Sequence, residues 1–296
     1  MFKKILLAAT PNINRQAAPH TAFELARKHE SELVLFHSLP IGKDDWCSFD
    51  ETISSEKLVS TASSKIEAFY AEDLKDIPVY SIKVTTGPAY ERILKLIHAE
   101  GVDLIVMGNH SAGMTRPDRM WGVVDTTIRK VCSNVFCPVL VVTNKPEKQT
   151  DIKRIVMATD FSTPSDSALC YAAQVAREYK AHLTIFHVLN IGQSCPNPEY
   201  YMQDMNVFID KAKNKMERKY AKALQDIDHS FECWEGIPYT EILKQARWSE
   251  ADLLIMAQYS SSQESTKPFV GSTVIQVALS PGCPVLIVNY RARVCM

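Results

Sequence analysis

The chain has 296 residues, 46% hydrophobic and 23% charged, which is enough apolar material for about two globular domains. Its 33 lysines and arginines against 34 aspartates and glutamates leave a net charge of −1, so no broad cationic field exists to gather nucleic acid or an anionic membrane. No run approaches about 18 uninterrupted apolar residues, and the eight cysteines form neither a Cys-x-x-Cys pair nor a zinc-type pairing. A membrane span, a disulfide scaffold and a metal site are therefore not expected, and a reduced, cytoplasmic setting is.

The opening "MFKKILLAAT" imitates a secretory leader, but it breaks at Pro11-Asn12 and is repeated mid-chain by "DIKRIVMATD", so both segments read as strands. Pro19 falls inside the segment expected to form the first helix, which must begin late or kink there. "ELVLFHSL" (32–39) reads as the second strand. Leu58, Ala62, Ile66, Phe69 and Tyr70 then form a helical apolar stripe. "GPAYERILK" (87–95) opens a further helix, "VDLIVMG" (102–108) is a strand running into a "GNHSAG" loop, and "CPVLVV" (137–142) is the last strand of the set.

After the polar, proline-bearing stretch "NKPEKQTD" (144–151), the series begins again. "KRIVMATD" (153–160) matches "KKILLAAT" and "HLTIFHVL" (182–189) matches "ELVLFHSL", both at an offset of 150. "GIPYTEILK" (236–244), "ADLLIMA" (251–257) and "CPVLIV" (283–288) match their counterparts at offsets of 149, 149 and 146. One duplication explains all five matches, dividing the chain into units 1–146 and 151–296. Short Val/Ile/Leu-rich runs alternating with helical segments predict, in each unit, a five-stranded parallel sheet with helices on both faces and strand order 3-2-1-4-5.

This order of motifs resembles the universal stress protein family, in particular its tandem two-domain type, and the resemblance covers nearly the whole chain twice. It implies an α/β fold of two flavodoxin-like, adenine-nucleotide-alpha-hydrolase-like units. In nucleotide-binding members the loop after strand four carries a Gly-x-x-Gly pair, nine residues, then Gly followed by Ser or Thr at a helix start. An Asp ends strand one. The glycines let backbone approach phosphate, and the helix start presents N–H groups to it.

In the first unit Gly108 keeps the first glycine, while Ser111 replaces the second, Val123 follows Gly122 and Thr10 stands at the Asp position. His110, in the same loop, faces a ligand in this reading without a nucleophile or carboxylate partner. The second unit keeps Asp160 and Gly271-Ser272, but Ala257 and Ser260 replace the paired glycines. Both loops are one residue longer than the family spacing. If the missing glycines hold positive φ in binding relatives, a side chain there costs about 1–2 kcal/mol each.

Unit 1 is therefore expected to bind no nucleotide. In unit 2, Asp160, Ser260, Gly271 and Ser272 are the only candidate contacts for ATP or AMP. The principal expectation is a non-enzymatic stress-response protein with degenerate sites that acts through a protein or small ligand, and the alternative is an ATP/AMP sensor or slow ATPase using unit 2. His37 and His187, matched in the second strands, read as hydrogen-bonded core residues. G-x-S-x-G, Walker and H-E-x-x-H patterns are missing from the sequence. Pairing of the two units through their last strands is expected from the resemblance, with a homodimer and an unidentified protein partner compatible with it.

Overall fold

The central strands are apolar at consecutive positions, as a sheet covered on both faces requires. In β1 (Lys4–Ala8), Ile5, Leu6 and Leu7 are all fully buried. The computed structural model describes residues 2–9, 17–39, 55–109, 126–143, 151–190, 205–259, 270–280 and 282–289. The chain divides into two compact units, Met1–Pro146 and Glu147–Met296.

In the first unit β1 is followed by α1 (Ala17–His29), β2 (Glu32–Leu39), α2 (Ser55–Phe69), the single turn α3 (Ala71–Leu74), β3 (Tyr80–Thr86) and α4 (Ala89–Glu100). β4 (Leu104–Gly108), α5 (Thr126–Asn134) and β5 (Val139–Val142) complete it. β1 pairs in parallel with β2 and β4, β2 with β3, and β4 with β5, which gives the order β3-β2-β1-β4-β5. Pro19 lies in the first turn of α1 and is buried; no intrahelical bond is lost there, because the first amides of a helix have no acceptor within it.

The second unit repeats the plan with β6 (Arg154–Thr159), α6 (Thr163–Tyr179), β7 (His182–Leu189), α7 (Met205–Tyr220) and a 3₁₀ turn at Ala221–Leu224. β8 (His229–Glu235), α8 (Pro238–Trp248), β9 (Leu253–Ala257), α9 (Ser272–Leu279) and β10 (Val285–Val288) follow. All its pairings are parallel, in the order β8-β7-β6-β9-β10.

Two devices recur in both units and show what the sheet needs. Asp103 accepts the backbone N–H groups of Lys3 and Lys4 at 2.8 and 3.0 Å, and Asp252 accepts those of Lys153 and Arg154, both at 2.9 Å. Each carboxylate thereby ties the start of its unit's first strand to the start of the fourth. Gly87 and Gly236, between third strand and following helix, hold φ of +113° and +138°, a region side chains avoid. A Cβ on Gly236 would also lie 2.8 Å from Cγ of Glu241.

Candidate functional site

Ligands of open α/β sheets bind beyond the carboxyl ends of the strands, and the second unit concentrates its polar side chains there. Asp160 follows β6 directly and is exposed. Its Oδ1 accepts the backbone N–H of Ser162 at 3.0 Å and the hydroxyl of Ser165. Ser162 is the N-cap of α6, its Oγ accepting the Ser165 N–H at 3.3 Å, with Pro164 in the first turn. The Asp160 carboxylate therefore helps to build the strand-to-helix turn.

Behind that turn lies a directed chain of hydrogen bonds. The Phe161 N–H donates to Thr159 Oγ1 at 3.1 Å, Thr159 Oγ1 lies 3.0 Å from the Tyr220 hydroxyl, and that hydroxyl donates to Asp166 Oδ1 at 3.1 Å. Since the tyrosine proton goes to the carboxylate, the Thr159 hydroxyl is the donor to Tyr220. Lys219 closes the chain, 2.7 Å from Asp166 Oδ1 and 3.0 Å from the Phe161 carbonyl. Phe161 itself sits at φ +64°, unusual for a residue with a side chain. Its ring packs 4.5 Å from that of His187, with the Lys215 ammonium 3.9 Å from its centroid.

His187 donates its Nδ1–H to the Thr159 carbonyl at 2.8 Å, and His37 does the same to Ala9 at 2.8 Å. Both make the hydrogen bond the sequence predicts, but each is half-buried at the strand end and not within the core. Burial lowers the His187 pKa below its ordinary value, outweighing the carbonyl bond and the nearby Asp160 charge, which raise it. The imidazole is then neutral at pH 7, with Nε2 as its acceptor.

Among the described residues the first unit lacks this chain. Ala9 stands where Thr159 does, and the Tyr70 hydroxyl, equivalent to Tyr220, is buried with no hydrogen-bond partner among the described residues. Burial, and to a lesser degree the Asp73 charge, push its pKa up to about 12.

At the fourth strand of unit 2, Ala158 of β6 registers with Met256 of β9, so Asp160 and the residues after Ala257 lie at the same end of the sheet. Gly271 is the N-cap of α9, and its N–H donates to the Gln258 carbonyl at 2.9 Å. Its φ of −61° is open to any residue, and an added Cβ would meet only ordinary contacts at 3.7 Å or more. Ser272 begins the helix, exposed. Gly108, the matching end of β4, is not among the glycines with positive φ, and its nearest Cβ neighbour would be Ala18 at 4.0 Å. In this chain the strand end holds no positive φ, and Ala257 stands there as regular β structure without backbone strain. Thr10, His110, Ser111, Gly122 and Ser260 lie outside the described residues.

Sequence periodicity places Tyr220 in the apolar stripe of α7, and nothing in that pattern shows its hydroxyl reaching Thr159 and Asp166. The signal was the recurrence of Tyr at 70 and 220 beside a change from Ala9 to Thr159. Among the described residues no group of three or more His, Cys, Asp or Glu is arranged to hold a metal, and no helix is long and apolar enough to cross a membrane. Burial pushes the Cys132 and Cys137 thiols up to about 12, so neither serves as a thiolate nucleophile.

The universal stress protein family model matches residues 1–143 and again 151–289. A universal stress protein of Methanocaldococcus jannaschii is 26% identical over 140 residues, 46% of this chain and 82% of that protein. Among solved structures, a universal stress protein of Archaeoglobus fulgidus aligns with a TM-score of 0.68 at 19% identity, covering 97% of this chain and 96% of that one. A functionally unknown protein of Pseudomonas aeruginosa aligns at 0.65 and 17% identity, covering 97% and 92%.

Proposed function

The chain belongs to the universal stress protein family, and from that premise we propose that it serves the stress response in the cytoplasm as a binding protein without catalytic activity, its nucleotide sites degenerate in both units. One observation carries this reading. The groups that survive in unit 2 already satisfy each other's neighbours: Asp160 Oδ1 accepts from Ser162 and Ser165, and the Gly271 N–H is donated to Gln258. A phosphate at the Gly271 N–H would have to displace the bond to Gln258, and exchange of one hydrogen bond for another returns little free energy, while the Asp160 carboxylate already serves the turn through Oδ1.

The two units pair, in this reading, through β5 and β10. Within its own unit each is bonded on one side only, by β4 and β9, and each is wholly apolar, an edge that needs cover.

Calorimetric titration of the full chain with ATP and with AMP tests the proposal. The expected result is no site or one weak site, with Kd on the order of 1 mM, confined to unit 2 and lost in Gly271→Val. That variant is suited to the purpose because position 271 has backbone and space for a side chain. A micromolar site, or one in unit 1, would favour the nucleotide-sensor reading instead.

A further inference from the structure

The exposed face of α7 carries a charge pattern that the strand-end site uses only in part, through Lys215 and Lys219. Lys211, Asn214, Lys215, Arg218 and Lys219 line one open groove of about 420 Å³, within the size range of small-molecule sites. Among the described residues only Lys219 of its four cations has an acidic partner, Asp166 at 2.7 Å. Lys211 and Lys215 lie instead over the rings of Phe208 and Phe161, at 5.6 and 3.9 Å.

A like-charged stripe disfavours the helix that bears it. Lys211 and Lys215, Lys215 and Lys219, and Lys215 and Arg218 are neighbours three or four residues apart, and each such pair is destabilising. Attraction to the negative end of the helix dipole explains Arg218 and Lys219, which stand in the last turn. It leaves Lys211 and Lys215 unexplained.

The duplication supplies an internal control. In α2 the positions of Lys211, Arg218 and Lys219 hold Thr61, Ala68 and Phe69, and lysines and glutamates there are equal in number. The packing role of the helix therefore does not need the stripe. α7 has five cationic side chains against two acidic ones.

We propose that the α7 groove is a binding site for a soluble ligand carrying two or more linked phosphates. Lysines four residues apart step along the helix by about 6 Å, which suits a chain of phosphates better than a single one. Lys219 is held in place by the Phe161 carbonyl and Asp166, and Lys215 by the Phe161 ring, so part of the ordering is complete before the ligand arrives. Phe161 joins this groove to the turn that holds Asp160, whereas none of the groove's lining residues belongs to the loop that ends at Gly271.

Inorganic tripolyphosphate, titrated calorimetrically into the full chain at low salt, is the probe. One saturable site per chain is expected, weakening as salt rises, with orthophosphate about tenfold or more weaker. The double variant Lys211→Ala/Lys215→Ala should weaken tripolyphosphate by about tenfold or more, while Lys57→Ala/Lys65→Ala in α2 and Gly271→Val leave it unchanged. Absence of saturable binding, or equal loss in the α2 variant, overturns the proposal. So does co-sedimentation with phosphatidylglycerol vesicles without tripolyphosphate binding, which would make the stripe a membrane contact. An ATP signal lost in the Lys211/Lys215 variant but kept in Gly271→Val belongs to this groove and leaves the reading of the loop intact.

Discussion

Replacing Tyr by Phe at the two equivalent positions 70 and 220 should move stability in opposite directions. The substitution removes one oxygen and leaves the ring, so no cavity of consequence forms at either site. At Tyr220, 2% exposed, the hydroxyl bonds Thr159 and Asp166. Losing two bonds worth about 0.5–1.5 kcal/mol each predicts a destabilisation of about 1–3 kcal/mol. At Tyr70, 1% exposed, the hydroxyl is buried with no partner among the described residues. Removing it relieves a desolvation cost of about 1–3 kcal/mol, so Tyr70→Phe should stabilise unit 1. The reciprocal change, Ala9→Thr, copies Thr159 and should stabilise by about 1 kcal/mol when Tyr70 is present but not when it is Phe. Native-state hydrogen exchange, read by mass spectrometry on peptides of each unit, separates the two responses where a single melting curve would merge them. Equal destabilisation at both positions would refute the reasoning, since it would mean that Tyr70 is as well bonded as Tyr220.

Gly236→Ala should destabilise unit 2 by about 2 kcal/mol or more, because it combines φ +138° with a 2.8 Å approach to Glu241, whereas Gly101→Ala, at φ +66° in open space, should cost about 1 kcal/mol; urea denaturation compares them. His187 should titrate below pH 6.5, because its folded-state pKa is lowered by burial. Protons then bind the unfolded chain more readily, so its contribution is complete above pH 6.5 and declines as pH falls towards the folded-state value. An NMR titration midpoint above 6.5 would contradict this, and His187→Gln should flatten the loss of stability on acidification.

The fold was legible because parallel strands buried on both faces must be written as continuous apolar runs, and because every run appears twice at nearly one offset. Pro19 was legible only as a constraint; its place in the first turn depends on where α1 starts. The site was harder to read. Asp160 and Gly271 can be named from a pattern, but whether a carboxylate oxygen or an amide is available depends on Ser162, Ser165 and Gln258, whose bonds leave no periodicity in the sequence. A glycine at the end of β4 suggests a conformational need, yet neither Gly108 nor the equivalent Ala257 holds positive φ. Tyr220 shares its helical period with Met216 and Ala212, so the stripe reports burial and not the hydroxyl.

The two aspartates that tie strand starts together bear on the order in which the chain folds. Asp103 bonds Lys3 and Lys4 across about a hundred residues, and Asp252 bonds Lys153 and Arg154 across a similar distance. During synthesis at roughly 5–20 residues per second, the apolar β1 emerges seconds before its neighbour β4 exists. The central pairing of first and fourth strands thus waits until most of each unit has been made, and such long-range pairing is slow. β6, whose segment "KRIVMATD" is similar to "KKILLAAT" of β1, emerges only after β4 and β5, so a β1 left unpaired until then competes with β6 for β4 or β9. A carboxylate at the start of the fourth strand in both units rewards correct alignment of first and fourth strands without distinguishing native from exchanged partners. Fidelity must then come from timing, with the first unit closed before the second has a fourth strand to offer.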